Sequence, residues 1–270
     1  MPHPSHRQEV EAVKKSEHCE LDCISVANMR QSDALTIARW TPGRTLMYRA
    51  ALGVYRAADW TKTTVIAVGG GNNGGDGYAL ACILAANGRP CRIVRLSEKR
   101  TEDSDYYAAQ AAALGVPMEA YAPGVFSGCD TVVDCLLGTG FQGSLRDLWR
   151  TAVQEINACG ARVVSVDINS GMNGDTGEAE LAVRSDLTVT VGYVKDGLVT
   201  AQAGRWIKRL TVADIGIVLA KKERRIVCAE AWDDARKDAA IPCPPWLDMT
   251  PIDVRTASEE TTFLHREECK

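Results

Sequence analysis

A doubly wound α/β fold with a mostly parallel sheet is what this sequence predicts, on three observations. Short apolar runs alternate with helical patterns from about residue 63 to 217. A glycine-rich turn, Gly69 to Gly77, joins the first apolar run to the helix that follows. Two later apolar runs each carry an Asp near their end, followed by glycines. Short apolar strands alternating with helices imply a parallel sheet covered on both faces.

The elements follow in order. Residues 1–22 are polar and are expected to form a mobile segment. Ser25 stands where an N-cap belongs, ahead of a helix with Val26, Met29, Ile37 and Trp40 on one face. Pro42-Gly43 breaks it. A second helix is predicted from about Thr45 to Asp59, with Leu46, Met47, Ala50, Val54 and Ala58 on its apolar stripe. These two helices are additional to a plain βαβ start. Strands are predicted at 64–69, 91–96, 131–136, 162–167, 187–192 and about 209–213, and helices at 76–88, 103–115 and 145–159. Gly88 and Gly115 are placed to stop the first two of those helices. After Ile217 the pattern fades into a charge run, Lys221 to Arg225, and then a stretch with Pro242, Pro244, Pro245 and Pro251. The domain is therefore bounded at 23–222, with 223–270 a tail. Removal of 225–270 is expected to leave the domain folded; Ile226, Val227, Trp232 and Trp246 are the residues that speak against it.

Composition excludes several classes of function. The formal charge of -4 is mixed along the chain and gives no basic stripe for nucleic acid. No apolar run approaches the roughly 20 residues that span a bilayer, and Met1 to Glu20 shows no apolar leader, so a cytoplasmic protein is expected. The 10 cysteines are scattered, several inside apolar runs, which reads as reduced structural thiols. His18, Cys19 and Cys23 lack the second ligand pair of a zinc site. The four histidines, His3, His6, His18 and His265, all lie in the end segments, so acid–base chemistry in the central region falls to other side chains.

Three strand ends carry the polar chemistry: Gly69–Gly77, Val133–Gly143 and Val166–Met172. In an open parallel sheet such ends share one edge, where ligands bind. Asn72, Asn73, Asp134, Asp167 and Ser170 are thus expected to converge. The glycine turn at a helix N-terminus offers free amides to an anion, and its glycines permit positive φ and close approach of a ligand. Gly69, Gly71 and Gly74 also fit the GxGxxG dinucleotide pattern, with Glu98 as the acidic ribose ligand, so an NAD(P)-dependent oxidoreductase stays open. A non-catalytic nucleotide-binding or interaction module with the same fold stays open too.

Gly71-Asn72-Asn73-Gly74-Gly75-Asp76-Gly77, Asp134-Cys135-Leu136-Leu137-Gly138-Thr139-Gly140 and Asp167-Ile168-Asn169-Ser170-Gly171 together resemble the NAD(P)H-hydrate epimerase family. Gly192-Tyr193-Val194-Lys195 resembles its Gly-x-x-Lys loop, Val212 to Ile217 its closing strand, and Met29 to Asp33 with Leu46 to Ala50 its leading helices. The resemblance spans roughly residues 23–217. It implies a Rossmann-like three-layer sandwich and an isomerase that interconverts the R and S epimers of hydrated NADH and NADPH. It implies substrate contacts from Asn72, Asn73, Gly74, Gly75, Asp76, Gly138, Thr139, Gly140, Phe141, Gln142, Gly143, Ser144 and Asp167. It implies a potassium ion on Asn73, Asp134 and Ser170, and a homodimer is compatible with it. Asp167 is the expected acid–base residue, with substrate binding alone as the other role open to it. Asn169 departs from the family, where proline is common, and Ala51 stands where glycine is common. The residues after 217 are too few for the dehydratase domain of bifunctional relatives.

Overall fold

The computed structural model describes residues 20–60, 63–229 and 240–259. His18, Cys19 and Trp232, on which expectations rested, lie outside them. The chain opens with β1 (Glu20–Ile24), so the expected boundary after residue 22 falls inside a strand. Helices α1 (Val26–Arg39) and α2 (Gly43–Ala57) follow. The alternating part comprises β2 (Thr64–Val68), α3 (Asn72–Ala86), β3 (Cys91–Arg95), α4 (Glu102–Ala113), β4 (Met118–Ala120), β5 (Thr131–Cys135), α5 (Asp147–Ala158), β6 (Arg162–Val166) and β7 (Leu187–Val191). Then come β8 (Val194–Lys195), two short 3-10 turns, β9 (Leu210–Asp214), β10 (Arg224–Val227), β11 (Ala240–Pro242) and β12 (Ile252–Asp253).

Eight strands form one sheet in the order β12-β9-β7-β6-β5-β2-β3-β4, every neighbouring pair parallel. From β2 the chain runs outward through β3 and β4; from β5 it runs the other way through β6, β7 and β9. The order therefore reverses between β2 and β5, the place where such sheets leave a crevice at their carboxyl ends. One core packs α2, α3 and α4 on one face through residues such as Met47, Leu80 and Ala111. A second core packs α5 on the other through Ala152, Val153 and Ile156. β2 and β5 are buried along their whole length, as strands covered on both faces must be.

Ser25 caps α1, its hydroxyl accepting from the Asn28 amide at 3.2 Å. Gly88 and Gly115 stop α3 and α4 with φ of 65° and 76°.

Two expectations are corrected. On α1, Val26 and Met29 are buried, but Ile37 and Trp40 are 44% and 55% exposed. The buried face is polar instead: Asn28, Ser32 and Thr36, one turn apart. It receives the chain after Ile217. Val218 N donates to Thr36 Oγ1 and Ala220 N to Ser32 Oγ, both at 2.9 Å, and Asn28 Nδ2 donates to Lys221 O at 2.6 Å. A hydrophobic count misses such a face because hydrogen bonds, not apolar burial, define it.

The second correction concerns the tail. β10 pairs antiparallel with β1, β11 lies parallel to β10, and β8 joins the other side of β1, making a small sheet β11-β10-β1-β8. β12 extends the main sheet beside β9. Ile226, Val227 and Val254 are buried. Residues beyond 222 thus complete both sheets, and a boundary at 222/223 cuts through paired structure. β10 escaped the sequence pattern because its partner β1 lies about 200 residues away, and β11 and β12 because they are only three and two residues long.

Candidate active site

A cavity of about 810 Å³ opens at the β2/β5 crevice. Its walls include Asn72, Asn73 and Asp76 of α3, Leu136–Gln142 after β5, Asp167 after β6, and Lys195 of β8. Met29, Arg30, Asp33 and Ile37 of α1 close one side. Arg30 also braces the far loop, donating to Thr139 O at 2.8 Å.

The glycine turn works differently from its sequence reading. None of Gly69–Gly77 has positive φ, and α3 begins at Asn72 rather than at 76. The glycines are needed for close packing of the protein on itself. A Cβ on Gly69 would stand 1.9 Å from Leu136 O, and one on Gly74 2.2 Å from Gly69 O. Gly75 faces Met47 and Ser104, where a Cβ would lie 2.4 Å from Met47 Cε. Gly74 and Gly75 therefore seat α3 against its neighbours and do not line the cavity. The opening turn of α3, by contrast, begins at the cavity wall, with Gly71 and Asn72 exposed there. That leaves the first amides of the helix for an anion.

Four ionisable side chains meet at the deep end. Lys195, 1% exposed, forms an ion pair with Asp167. Its Nζ also donates to Val191 O at 2.7 Å and Thr190 Oγ1 at 3.0 Å. Asp167 sits in left-handed backbone, φ 67°, a conformation Asp tolerates better than most residues. Asp76 is half-buried in the cavity wall. Burial, then the negative charges of Asp167 and Asp33, push its pKa well above the ordinary carboxylate value, with Lys195 opposing. Burial, then Asp167, also raise the pKa of Asp33. Three carboxyls around one lysine leave an excess of negative charge, which favours a protonated acid beside an ion-paired carboxylate. Such a pair supplies acid and base together.

Below the cavity lies a second polar group. Asp134 is fully buried and accepts from Leu136 N at 3.2 Å, Ser165 Oγ at 2.9 Å, Ser170 N at 2.9 Å and Ser170 Oγ. Its partners are hydroxyls and amides, with no basic side chain among them, and burial raises its pKa. Leu137 O accepts from Asn73 Nδ2 at 2.9 Å and from Ser170 Oγ at 3.2 Å. Asn73 Oδ1 is buried and has no hydrogen-bond partner. Of the three expected cation ligands, Asn73 lines the cavity, while Asp134 and Ser170 stand behind its wall.

The structure brings Asn72, Asn73, Asp76, Gly138, Thr139, Gly140, Phe141, Gln142 and Asp167 to one cavity. Gly143 and Ser144 are exposed further along the loop and do not line it. Glu98, the acid an oxidoreductase would use, does not line it either; it pairs with Arg95 at 2.9 Å and is 72% exposed. Site residues drawn from the sequence omitted Asp33 and Lys195. Lys195 was visible as the lysine of the Gly-x-x-Lys loop. Asp33 left a weaker trace, an acid one turn after Met29.

The departure at Asn169 has a local account. Asn169 Nδ2 donates to Val183 O at 2.9 Å, Ser185 Oγ at 3.0 Å and Trp206 O at 3.2 Å, and its Oδ1 accepts from Thr188 Oγ1 at 2.6 Å. Hydrogen bonds here fix the turn that a proline ring fixes elsewhere, and Asp167 and Ser170 keep their places on either side.

Among the described residues no helix is long and apolar enough to cross a membrane, and no group of three or more His, Cys, Asp or Glu could hold a metal ion. Cys23, Cys82, Cys91, Cys129, Cys135 and Cys159 are free thiols.

Comparison with known proteins adds four findings. The family described as YjeF-related protein N-terminus matches residues 43–197. An NAD(P)H-hydrate epimerase of Limosilactobacillus fermentum is 36% identical over 209 residues, 71% of this chain and 95% of the relative. A bifunctional NAD(P)H-hydrate repair enzyme of Pyrobaculum aerophilum is 38% identical over 177 residues, 62% of this chain but 35% of that longer protein. Among solved structures, the yeast protein ynu0 superposes with a TM-score of 0.64 over 73% of this chain and 90% of its own, at 20% identity. That likeness shows a shared fold.

Proposed function

The chain belongs to the family of YjeF-related protein N-termini, and from that premise we propose that it is an NAD(P)H-hydrate epimerase, an isomerase of nicotinamide cofactor repair. The observation that carries the reading is the group Asp33, Asp76, Asp167 and Lys195 in the wall of a cavity of about 810 Å³. The substrate has a hydroxyl on the ring carbon bonded to the nicotinamide nitrogen. Such a carbon epimerises by losing the hydroxyl and regaining it on the other face.

Asp76, protonated, donates to the departing hydroxyl; the C–O bond breaks, water forms, and the ring nitrogen's electron pair makes an iminium. Water then adds to the opposite face and gives its proton to Asp167, which Lys195 holds in place. Proton exchange between the coupled carboxyls resets the pair. The α3 N-terminus and the Gly138–Gln142 loop bind the diphosphate and ribose through backbone amides. Incubating the protein with pure R-hydrate and following the S form by chromatography tests the reading directly. An unchanged R-hydrate would overturn it.

Asp76 sets the pH dependence. Its pKa is raised in the folded state, so the folded protein holds this proton more tightly than the unfolded chain. The associated stability is full below the ordinary carboxylate pKa and is lost as pH rises through the raised value. Activity that needs the protonated acid falls over the same window. Asp76→Asn is expected to lose most turnover, about 10²–10⁴-fold, and to melt above wild type by a margin that grows as pH rises from the ordinary carboxylate pKa through the raised value. Thermal melts across that range, together with the epimer assay, check both halves.

We propose a potassium ion beside Asn73. A hard monovalent cation takes oxygen ligands, and the orphaned Asn73 Oδ1 would supply one from the cavity wall. Asp134 and Ser170, behind that wall, would supply charge and a hydroxyl to the same ion. The ion would supply fixed positive charge near the substrate's phosphates. Potassium chloride is expected to raise the melting temperature more than choline chloride at equal ionic strength, and Asn73→Ala should erase the difference. A hundredfold excess over Kd is worth about 2.7 kcal/mol. Identical responses to the two salts in wild type would remove the ion.

A further inference from the structure

The cavity has a second end, and its chemistry bears on which hydrated cofactor it takes. That end is the loop after β3. Ser97 and Lys99 both line the cavity wall. The loop lies directly against the glycine turn, where a Cβ on Gly70 would stand 2.8 Å from Ser97 Oγ and 2.9 Å from Lys99 O. The amide of Lys99 donates to Ser97 Oγ at 3.1 Å, which fixes the hydroxyl beside the lysine.

The charges around this loop are otherwise spoken for. Arg95 pairs with Glu98, Arg100 with Asp105, and Arg44 with the cavity-wall Asp103 at 3.5 Å. Lys99 makes no ion pair among the described residues. Lys99 is thus an exposed lysine on the cavity wall with no ion pair there, one residue beyond an acid that does not line the cavity.

In doubly wound folds the diphosphate sits over the helix that follows the first strand of the motif, and the adenosine ribose lies at the end of the next strand. Here those places are the N-terminus of α3 and the loop after β3. An acid at the second place accepts from the ribose hydroxyls, and a cation there takes a 2′-phosphate. In this chain the acid is not among the cavity-lining residues and the lysine is.

Resting on the epimerase reading above, we propose that Lys99 and Ser97 form a subsite for the 2′-phosphate, so that the enzyme favours hydrated NADPH over hydrated NADH. The phosphate would accept from the Lys99 ammonium, the Ser97 hydroxyl and amides of the adjoining turn. Hydrated NADH would offer the same place only a neutral hydroxyl.

NADP⁺ and NAD⁺ serve as probes, titrated calorimetrically into the full chain. Wild type is expected to bind NADP⁺ about tenfold or more tightly than NAD⁺, with the ratio shrinking as choline chloride is raised, because the subsite contact is a screened charge pair. Lys99→Met should bring the ratio near one, and Lys99→Arg should keep it. The ratio of kcat/KM for the two hydrates should follow the same order, through KM. A wild-type ratio within about twofold of one, or a ratio unmoved by Lys99→Met, would overturn the subsite. Turnover of neither hydrate would overturn the epimerase reading instead, while the nucleotide ratio still decides the subsite.

Discussion

Asp167→Asn is expected to lower kcat by about 10²–10⁴-fold with little change in KM, because the amide keeps the shape and loses the proton. The backbone should survive the change: Asn tolerates the left-handed φ of 67° as well as Asp does. The pair to Lys195 does not survive. Lys195 would keep its buried contacts to Thr190 and Val191 but lose the carboxylate it is ion-paired with. Removing one partner of a buried pair costs about 3–5 kcal/mol at full burial, and less here because Asp167 reaches the cavity. The variant should therefore be both slow and less stable. The double variant Asp167→Asn with Lys195→Met separates the two effects: the melting temperature recovers and turnover does not. Turnover within threefold of wild type in the single variant would take Asp167 out of the chemistry.

Deleting residues 225–270 is expected to give an insoluble or inactive protein. The deletion removes most of β10, all of β11 and β12, and the buried side chains Ile226, Val227 and Val254. Each such side chain contributes roughly 1.5–3 kcal/mol on burial, against a total stability of about 5–15 kcal/mol for a typical domain. The loss also strips β1 of its antiparallel partner, and β1 is what β8 leans on. Since β8 carries Lys195, the damage reaches the acid–base group. Soluble expression, a circular dichroism melt and the epimer assay decide the matter. A folded, active truncation would show the small sheet to be dispensable.

The central fold was legible because burial on both faces writes continuous apolar runs into parallel strands. β2, β5 and β6 stand where the pattern of Val, Ile and Ala put them. The polar strand ends were legible for a related reason: Asp134 and Asp167 interrupt such runs, and nothing in a strand's own needs calls for an acid there. What stayed hidden depended on distant partners. The two strands β10 and β12 are short and partly polar, and only their neighbours make them strands. The polar face of α1 looked like a solvent face until the segment after Ile217 lay along it. The glycines were found, but their purpose was misread. A sequence shows that no side chain is wanted at Gly69 or Gly75; it does not show whether a ligand or the protein's own backbone fills the space. Lys195 was seen in its Gly-x-x-Lys loop but given no role, because its ion pair with Asp167 joins two strand ends 28 residues apart; Asp33 was missed because it sits on a helix and not at a strand end.

Asn169 has a bearing on what this position can carry. Where the family resemblance implies proline, this protein has an amide whose partners, Ser185 and Thr188, are themselves joined at 2.7 Å. Putting proline there would leave the Val183 carbonyl and the Ser185 hydroxyl without the donor that Asn169 Nδ2 supplies, and the Thr188 hydroxyl without its Oδ1 acceptor, a deficit of about 1–3 kcal/mol for each buried group left unmade. A relative's residue is then no safe guide at this position. A proline copied into it would act as a mutation, and the buried groups that rely on the amide would set its cost.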